Sequence, residues 1–139
     1  MSETMLAGIA DPEGLKVARL DIPKPGPGEL LVKVAAAGLN RADLFAAKLS
    51  PAGTPVGMEW AGEVVGAGPE VRGFAVGNRV ACSGVGGYAE YAVCNARRAI
   101  RLSNRLDLTE AAVLPLALMT AHNALATVGG MKAGDTVLI

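Results

Sequence analysis

Two short segments, Gly38-Leu39-Asn40-Arg41-Ala42-Asp43-Leu44 and Gly57-Met58-Glu59-Trp60-Ala61-Gly62, hold the side chains best suited to chemistry. The first supplies an amide, a guanidinium and a carboxylate within four positions; the second places a thioether directly before a carboxylate. Amide and guanidinium N–H groups bind carbonyl oxygens and anions, and a carboxylate beside them can orient them or take a proton. Each also has a plain structural reading. Asn40 is a good helix N-cap, its side-chain oxygen accepting from first-turn N–H groups, and Asp43 suits the positive end of the same helix. Arg41 can be a solvated helix-end cation. Glu59 is expected in an internal ion pair, because an unpaired buried carboxylate is costly.

Further along, Thr120 and His122 lie in an Ala/Leu-rich stretch. A helical threonine commonly bonds its own backbone one turn back. His122 is the single histidine, and with no serine or cysteine spaced for a triad it reads as a core or interface residue. Cys82 and Cys94 have no CxxC spacing and fit neither a zinc ribbon nor a disulfide framework. They read as reduced packing residues.

Composition narrows the setting for these groups. The 139 residues suffice for one domain with its own core. Thirteen Lys plus Arg balance thirteen Asp plus Glu, with no like-charge run, which argues against nucleic acid or a membrane surface as partner. No basic leader precedes an apolar stretch and no run of about eighteen uninterrupted apolar residues occurs, so a cytoplasmic location is the expectation.

The elements that must position the site follow from periodicity and turn chemistry. Strands are predicted at 4–9, 15–22 and 29–37, the last alternating Leu30, Val32 and Val34 against Leu31 and Lys33. Pro23-Lys24-Pro25-Gly26-Pro27-Gly28 lacks too many backbone donors for a central strand and is a rigid turn. A short helix runs from the Asn40 cap to about Lys48, and 50–57 form a Pro/Gly loop. Strands at 58–66, 77–82, 87–94 and 98–102 follow at barrel-like spacing. The pattern then becomes helical. Asp107-Leu108-Thr109-Glu110 has capping-box spacing, with helices at 108–114 and 116–128 interrupted by Pro115 and ended by Gly129-Gly130. Thr136-Val137-Leu138-Ile139 reads as an apolar strand.

Two glycine clusters imitate dinucleotide loops without their context. Gly66-Ala67-Gly68 is followed by Pro69-Glu70-Val71, which is not an apolar-periodic helix, and Gly84-Val85-Gly86-Gly87 runs into a tyrosine-bearing strand.

In order along the chain, the two opening segments, Pro25 to Val34, Gly62 to Gly68, Val76-Gly77-Asn78-Arg79-Val80, Gly86-Gly87-Tyr88-Ala89-Glu90-Tyr91 and Ala111-Ala112-Val113-Leu114-Pro115 resemble the medium-chain dehydrogenase/reductase superfamily. Asn40 and Met58 stand where zinc members carry cysteine and histidine, and neither replaces thiolate or imidazole at Zn²⁺. The chain is therefore similar to the zinc-free quinone oxidoreductase, or zeta-crystallin-like, branch.

That resemblance implies a mainly β GroES-like barrel with short helices over 1–107. Over 108–139 it implies connecting helices and the first strand of a truncated α/β Rossmann domain. It also implies NADPH as cofactor, a quinone or α,β-unsaturated carbonyl as substrate, a homodimeric parent enzyme, and a piece that does not turn over without the missing Rossmann portion. Asn40 would face the reactive end of the cofactor as the catalytic amide, bonding a substrate carbonyl or the cofactor ribose in place of a metal, with Asp43 orienting Asn40 or Arg41. Arg41 and Thr120 would contact cofactor, and no metal is expected. An enoyl-thioester reductase and a non-catalytic GroES-like binding module are the alternatives. Lys48-Leu49-Ser50-Pro51 lacks the tyrosine that several quinone reductases of the branch carry there.

Overall fold

The structure, a computed structural model, describes residues 3–138. A hairpin of β1 (Thr4–Asp11) and β2 (Gly14–Asp21) leans on a five-stranded antiparallel sheet. The sheet comprises β3 (Glu29–Ala37), β4 (Glu59–Ala67), β5 (Arg79–Ser83), β6 (Tyr91–Asn95) and β7 (Ala99–Arg101), in the order β6-β3-β4-β5-β7. All seven predicted strands up to Leu102 are present, within a few residues at their ends. The 87–94 prediction shortens to Tyr91–Asn95 because Gly86 and Gly87 turn the chain first, Gly86 at φ +95°.

Strand alternation sorts side chains to two faces. Leu30, Val32, Trp60, Val64, Val80, Cys82, Ala92 and Cys94 fill the inner face. The sheet curls far enough that the Cys94 Sγ on β6 lies 3.9 Å from the Ser83 carbonyl on β5, although three strand positions separate them. Both cysteines are free and buried, as expected. The adjacent Cys94 sulfur and burial hold the Cys82 thiol far above its ordinary range, which suits a packing role. Isolated bridges Ala7↔Ala89 and Ile9↔Pro55 tie the hairpin to this body. The result is mostly strand, curled into a small barrel-like shell.

Glycine is required where backbones meet. A Cβ on Gly62 would strike the Lys33 carbonyl of the neighbouring strand, and one on Gly68 would strike the Gly26 carbonyl in the proline-rich turn. Gly68 therefore closes a strand-to-turn contact and leaves no space for a phosphate. Gly84 and Gly87 are likewise occupied, since both press on the Trp60 ring.

The outer face of β4 and β5 carries small residues. Ala61 and Ala81 receive Ala111 and Ala112 from α2 (Leu108–Ala111) and its C-cap. Asp107 caps α2, its Oδ1 accepting from the Thr109 N–H at 2.7 Å. Pro115 was expected to interrupt a helix. It instead occupies the first turn of α3 (Leu114–His122), where a missing N–H leaves no hydrogen bond unmade. A π-helical turn, Asn123–Val128, continues α3, and Gly130 follows at φ +64°.

One expectation needs correction. Thr136, Val137 and Leu138 form no strand, because a strand exists through its neighbour and none lies beside them among the described residues; Ile139 lies outside those residues. The helical run Leu108–Val128 is, by length and composition, apolar enough to cross a membrane, and it is largely exposed. Thr109, Glu110, Thr120, His122, Asn123 and Thr127 interrupt it, so it contains no uninterrupted apolar run of about eighteen residues.

Candidate active site

At the end of β3 the chain passes through Gly38 and enters α1 (Arg41–Leu49) at Asn40. On β4 the same two-residue period that sends Trp60 inward sends Glu59, with Ala61, to the face covered by the helices. Glu59 is 3% exposed. A Cβ on Gly38 would collide with the Glu59 carboxylate, so glycine at 38 is what lets Glu59 reach the helix entrance.

The Glu59 carboxylate meets two donors. Oε1 accepts from Asn40 Nδ2 at 2.8 Å, and Oε2 accepts from the Leu116 N–H at 2.9 Å. Among the described residues Glu59 makes no ion pair, contrary to expectation. An amide and a free N–H of the first turn of α3 satisfy the charge instead, and the positive end of that helix favours it.

Asp43 completes the arrangement from inside α1. It is buried, and its Oδ2 accepts the Asn40 backbone N–H at 2.9 Å, one half of the capping box. The reciprocal half is loose: the Asp43 N–H goes to the Asn40 backbone carbonyl at 3.0 Å. The Asn40 side chain is thus turned toward Glu59, and it does not cap tightly as its position predicts. Asp43 Oδ2 also accepts the Tyr88 hydroxyl at 2.6 Å, while Oδ1 is buried without a partner. Hydrogen bonds therefore run from Tyr88 through Asp43 and Asn40 to Glu59 and the start of α3.

Tyr88 is a member of this chain that sequence reading missed. Its partner lies 45 positions away, and only the close approach of Gly57 to the Tyr88 backbone and ring, at φ +105°, marks the meeting point. Burial first, then the bond to Asp43, push the Tyr88 phenol well above the ordinary tyrosine range. A raised folded-state pKa places the stabilisation below the unfolded value of about 10, and it is lost as pH rises beyond that. Alkaline titration by tyrosinate absorbance is expected to show a late phase that Tyr88→Phe abolishes; identical curves would contradict the assignment.

Asn40 and Glu59 open onto a cleft of about 400 Å³ whose other walls are Val113, Leu116, Ala117, Thr120, Ala121 and Ala124. Thr120, predicted from its sequence position, thus shares a cavity with Asn40. Arg41 lies exposed at the start of α1 with no ion pair among the described residues. His122 is exposed on α3 and not in the core. Met58 is half-buried, its carbonyl taken by the Gly84 N–H at 2.9 Å. Among the described residues no three His, Cys, Asp or Glu side chains cluster as a metal site would require.

Comparison with known proteins places this architecture in a family. Residues 26–104 match the alcohol dehydrogenase GroES-like domain. The chain belongs to that family, within the medium-chain dehydrogenase/reductase superfamily. It is 34% identical to a quinone oxidoreductase of Pseudomonas aeruginosa over 95% of this chain and 42% of that protein. It is 40% identical to the erythronolide synthase EryA2 of Saccharopolyspora erythraea over 81% of this chain and 3% of that protein. The human synaptic vesicle membrane protein VAT-1 homolog-like protein superposes with a TM-score of 0.85 at 28% identity, covering 95% of this chain and 46% of the other. The chain spans less than half the length of each of these relatives.

A nicotinamide dinucleotide fits this chain at one end only. The Asn40 amide and Thr120 hydroxyl in the cleft, with the unpaired Arg41 guanidinium nearby in sequence, suit a carboxamide and an anion. Among the described residues, the glycine clusters at Gly68 and at Gly84 and Gly87 offer no phosphate cradle, since the space beside them is filled by protein.

Proposed function

We propose that this chain is the substrate-side portion of an NADPH-dependent reductase that works without zinc and delivers hydride to a quinone or an α,β-unsaturated carbonyl. The observation that carries this reading is the Asn40 amide, fixed by Glu59 at the mouth of the cleft that also holds Thr120. The portion of the relatives that this chain does not span would supply the dinucleotide cradle, and "assembled reductase" below means this chain together with that portion. On this reading the exposed apolar run Leu108–Val128 is covered by protein and not by lipid, which keeps the enzyme cytoplasmic.

When bound, NADPH supplies the hydride. The chain's own residues bind and orient. One Nδ2 hydrogen of Asn40 goes to Glu59, and the other is left to donate to the substrate oxygen that gains negative charge. Asp43 holds the Asn40 backbone, and Tyr88 holds Asp43. Thr120 and Arg41 contact cofactor. Val113, Leu116, Ala117 and Ala121 give the cleft an apolar wall, which the portion this chain does not span would close over the reacting carbon.

A second reading, enoyl-thioester reduction, draws support from the similarity to the erythronolide synthase EryA2. The two share the hydride step and differ in the electrophile. Comparing kcat/KM for a simple quinone, an enone and an enoyl thioester in the assembled reductase separates them, and no NADPH oxidation with any of the three would favour a binding module.

The zinc-free assignment carries its own expected result. Asn40 and Met58 stand where zinc members have ligands, so elemental analysis of the purified chain, dialysed against a weak chelator, is expected to find far less than one zinc per chain. Stoichiometric zinc would overturn the assignment.

A further inference from the structure

The proposed function gives Asn40 a task; the environment of Glu59 shows what that task requires. The Leu116 N–H and the Asn40 Nδ2 group both point at one carboxylate, at 2.9 and 2.8 Å. Both are donors, so the residue between them must offer two acceptors. A carboxylate does. A carboxamide of the same shape offers one acceptor and one donor, and the Leu116 backbone N–H cannot turn round.

We propose that Glu59 is a positioning residue for Asn40. Its charge, and not its volume or its bond to Leu116 alone, sets which way the Asn40 amide faces. In rotation about its last side-chain bond Asn40 can present either its oxygen or its nitrogen to residue 59, and the two presentations differ little in shape. A carboxylate at 59 repels the oxygen and selects the nitrogen. With the nitrogen held there, the amide oxygen is turned away from Glu59 and the second Nδ2 hydrogen is left unbonded beside the cleft. The same carboxylate joins β4 to the first turn of α3, the helix that brings Thr120 to the opposite wall. One side chain thus fixes both the amide and the wall that faces it. Gly38 supports this placement, because any larger residue there would displace the Glu59 carboxylate.

The inference rests on the proposed reductase reading for its catalytic consequence, and its structural half stands apart from that reading. Glu59→Gln is the decisive variant because it keeps shape and removes one acceptor. The introduced glutamine is expected to keep its oxygen on the Leu116 N–H and turn its nitrogen to Asn40, which forces the Asn40 amide to reverse or to lose its bond. The pair Asn40→Asp with Glu59→Gln restores a donor facing an acceptor, yet leaves no amide donor for a substrate.

Two measurements test this. In ¹⁵N-resolved NMR of the chain without cofactor, the parental Asn40 side-chain NH₂ is expected to show slowed solvent exchange and a shift typical of a bond to carboxylate. Glu59→Gln is expected to lose both while the Leu116 backbone N–H keeps its protection. In the assembled reductase, Glu59→Gln is expected to lower kcat by about 10- to 100-fold, the range for losing a group that orients a site side chain, with a smaller change in KM. The double variant is expected to recover thermal stability relative to Glu59→Gln and to recover no turnover. An Asn40 NH₂ signal unchanged in Glu59→Gln would overturn the proposal, as would a double variant that regains activity. If the parental enzyme reduces none of the three electrophiles, the reductase reading fails, and the NMR comparison still decides whether Glu59 sets the amide.

Discussion

Replacing Asn40 with alanine in the assembled reductase is expected to lower turnover of a quinone or enone by roughly 10²- to 10³-fold, with NADPH affinity near the parental value. That range is typical for loss of one preorganised donor acting mainly in the transition state. The split between rate and binding follows from geometry. Asn40 lies on the cleft beside Glu59, and the free Nδ2 hydrogen gains strength only when charge develops on a substrate oxygen. Because the side-chain cap is loose, capping confounds the alanine variant by at most about 1 kcal/mol. Asn40→Ser separates the effects, since serine caps well but its hydroxyl is too short to span from Glu59 to a substrate. A serine variant that is fully stable and slow supports the donor role. One that is stable and as fast as the parent reduces Asn40 to a cap.

The largest expected loss of stability is at Trp60. This single tryptophan is fully buried near the start of β4, with Gly84 and Gly87 pressed on its ring and Val64 and Cys82 in the same cluster. Trp60→Ala opens a cavity that backbone glycines cannot fill, and such truncations cost about 3–5 kcal/mol. Trp60→Phe should behave differently from a simple volume argument. The indole Nε1 is buried without a hydrogen-bond partner, and an unsatisfied buried donor costs about 1–3 kcal/mol. Phenylalanine removes that donor along with some volume, so its net loss is expected to stay below about 2 kcal/mol. Denaturant midpoints of the three proteins decide it. An alanine variant as stable as the phenylalanine one would mean that Trp60 is not the centre of the core.

Strands were legible in the sequence wherever one face meets the core, as with Leu30 and Val32 against Leu31 and Lys33. The Asn40–Asp43 relation was legible because it is local, three positions on one helical turn. Long-range partners were not. Tyr88 reaches Asp43 only because the loop through Gly57 brings distant backbones together, and no periodicity records that. Glu59 was recognised by position but assigned an ionic partner, because sequence reading counts charges and overlooks the unpaired N–H groups at a helix start. Pro115 illustrates the same blind spot: its meaning depends on whether it stands inside a helix or in the first turn. Thr136 to Leu138 have strand-like composition, and composition cannot supply a neighbouring strand.

The central claim is that an amide held by a carboxylate does the work that a metal does in the zinc relatives. The most direct test is the rate of NADPH oxidation by the assembled reductase with an enone, measured before and after exhaustive treatment with a strong chelator. The account predicts an unchanged rate after metal removal and no gain on adding Zn²⁺. A rate that collapses on chelation and returns with zinc would contradict it.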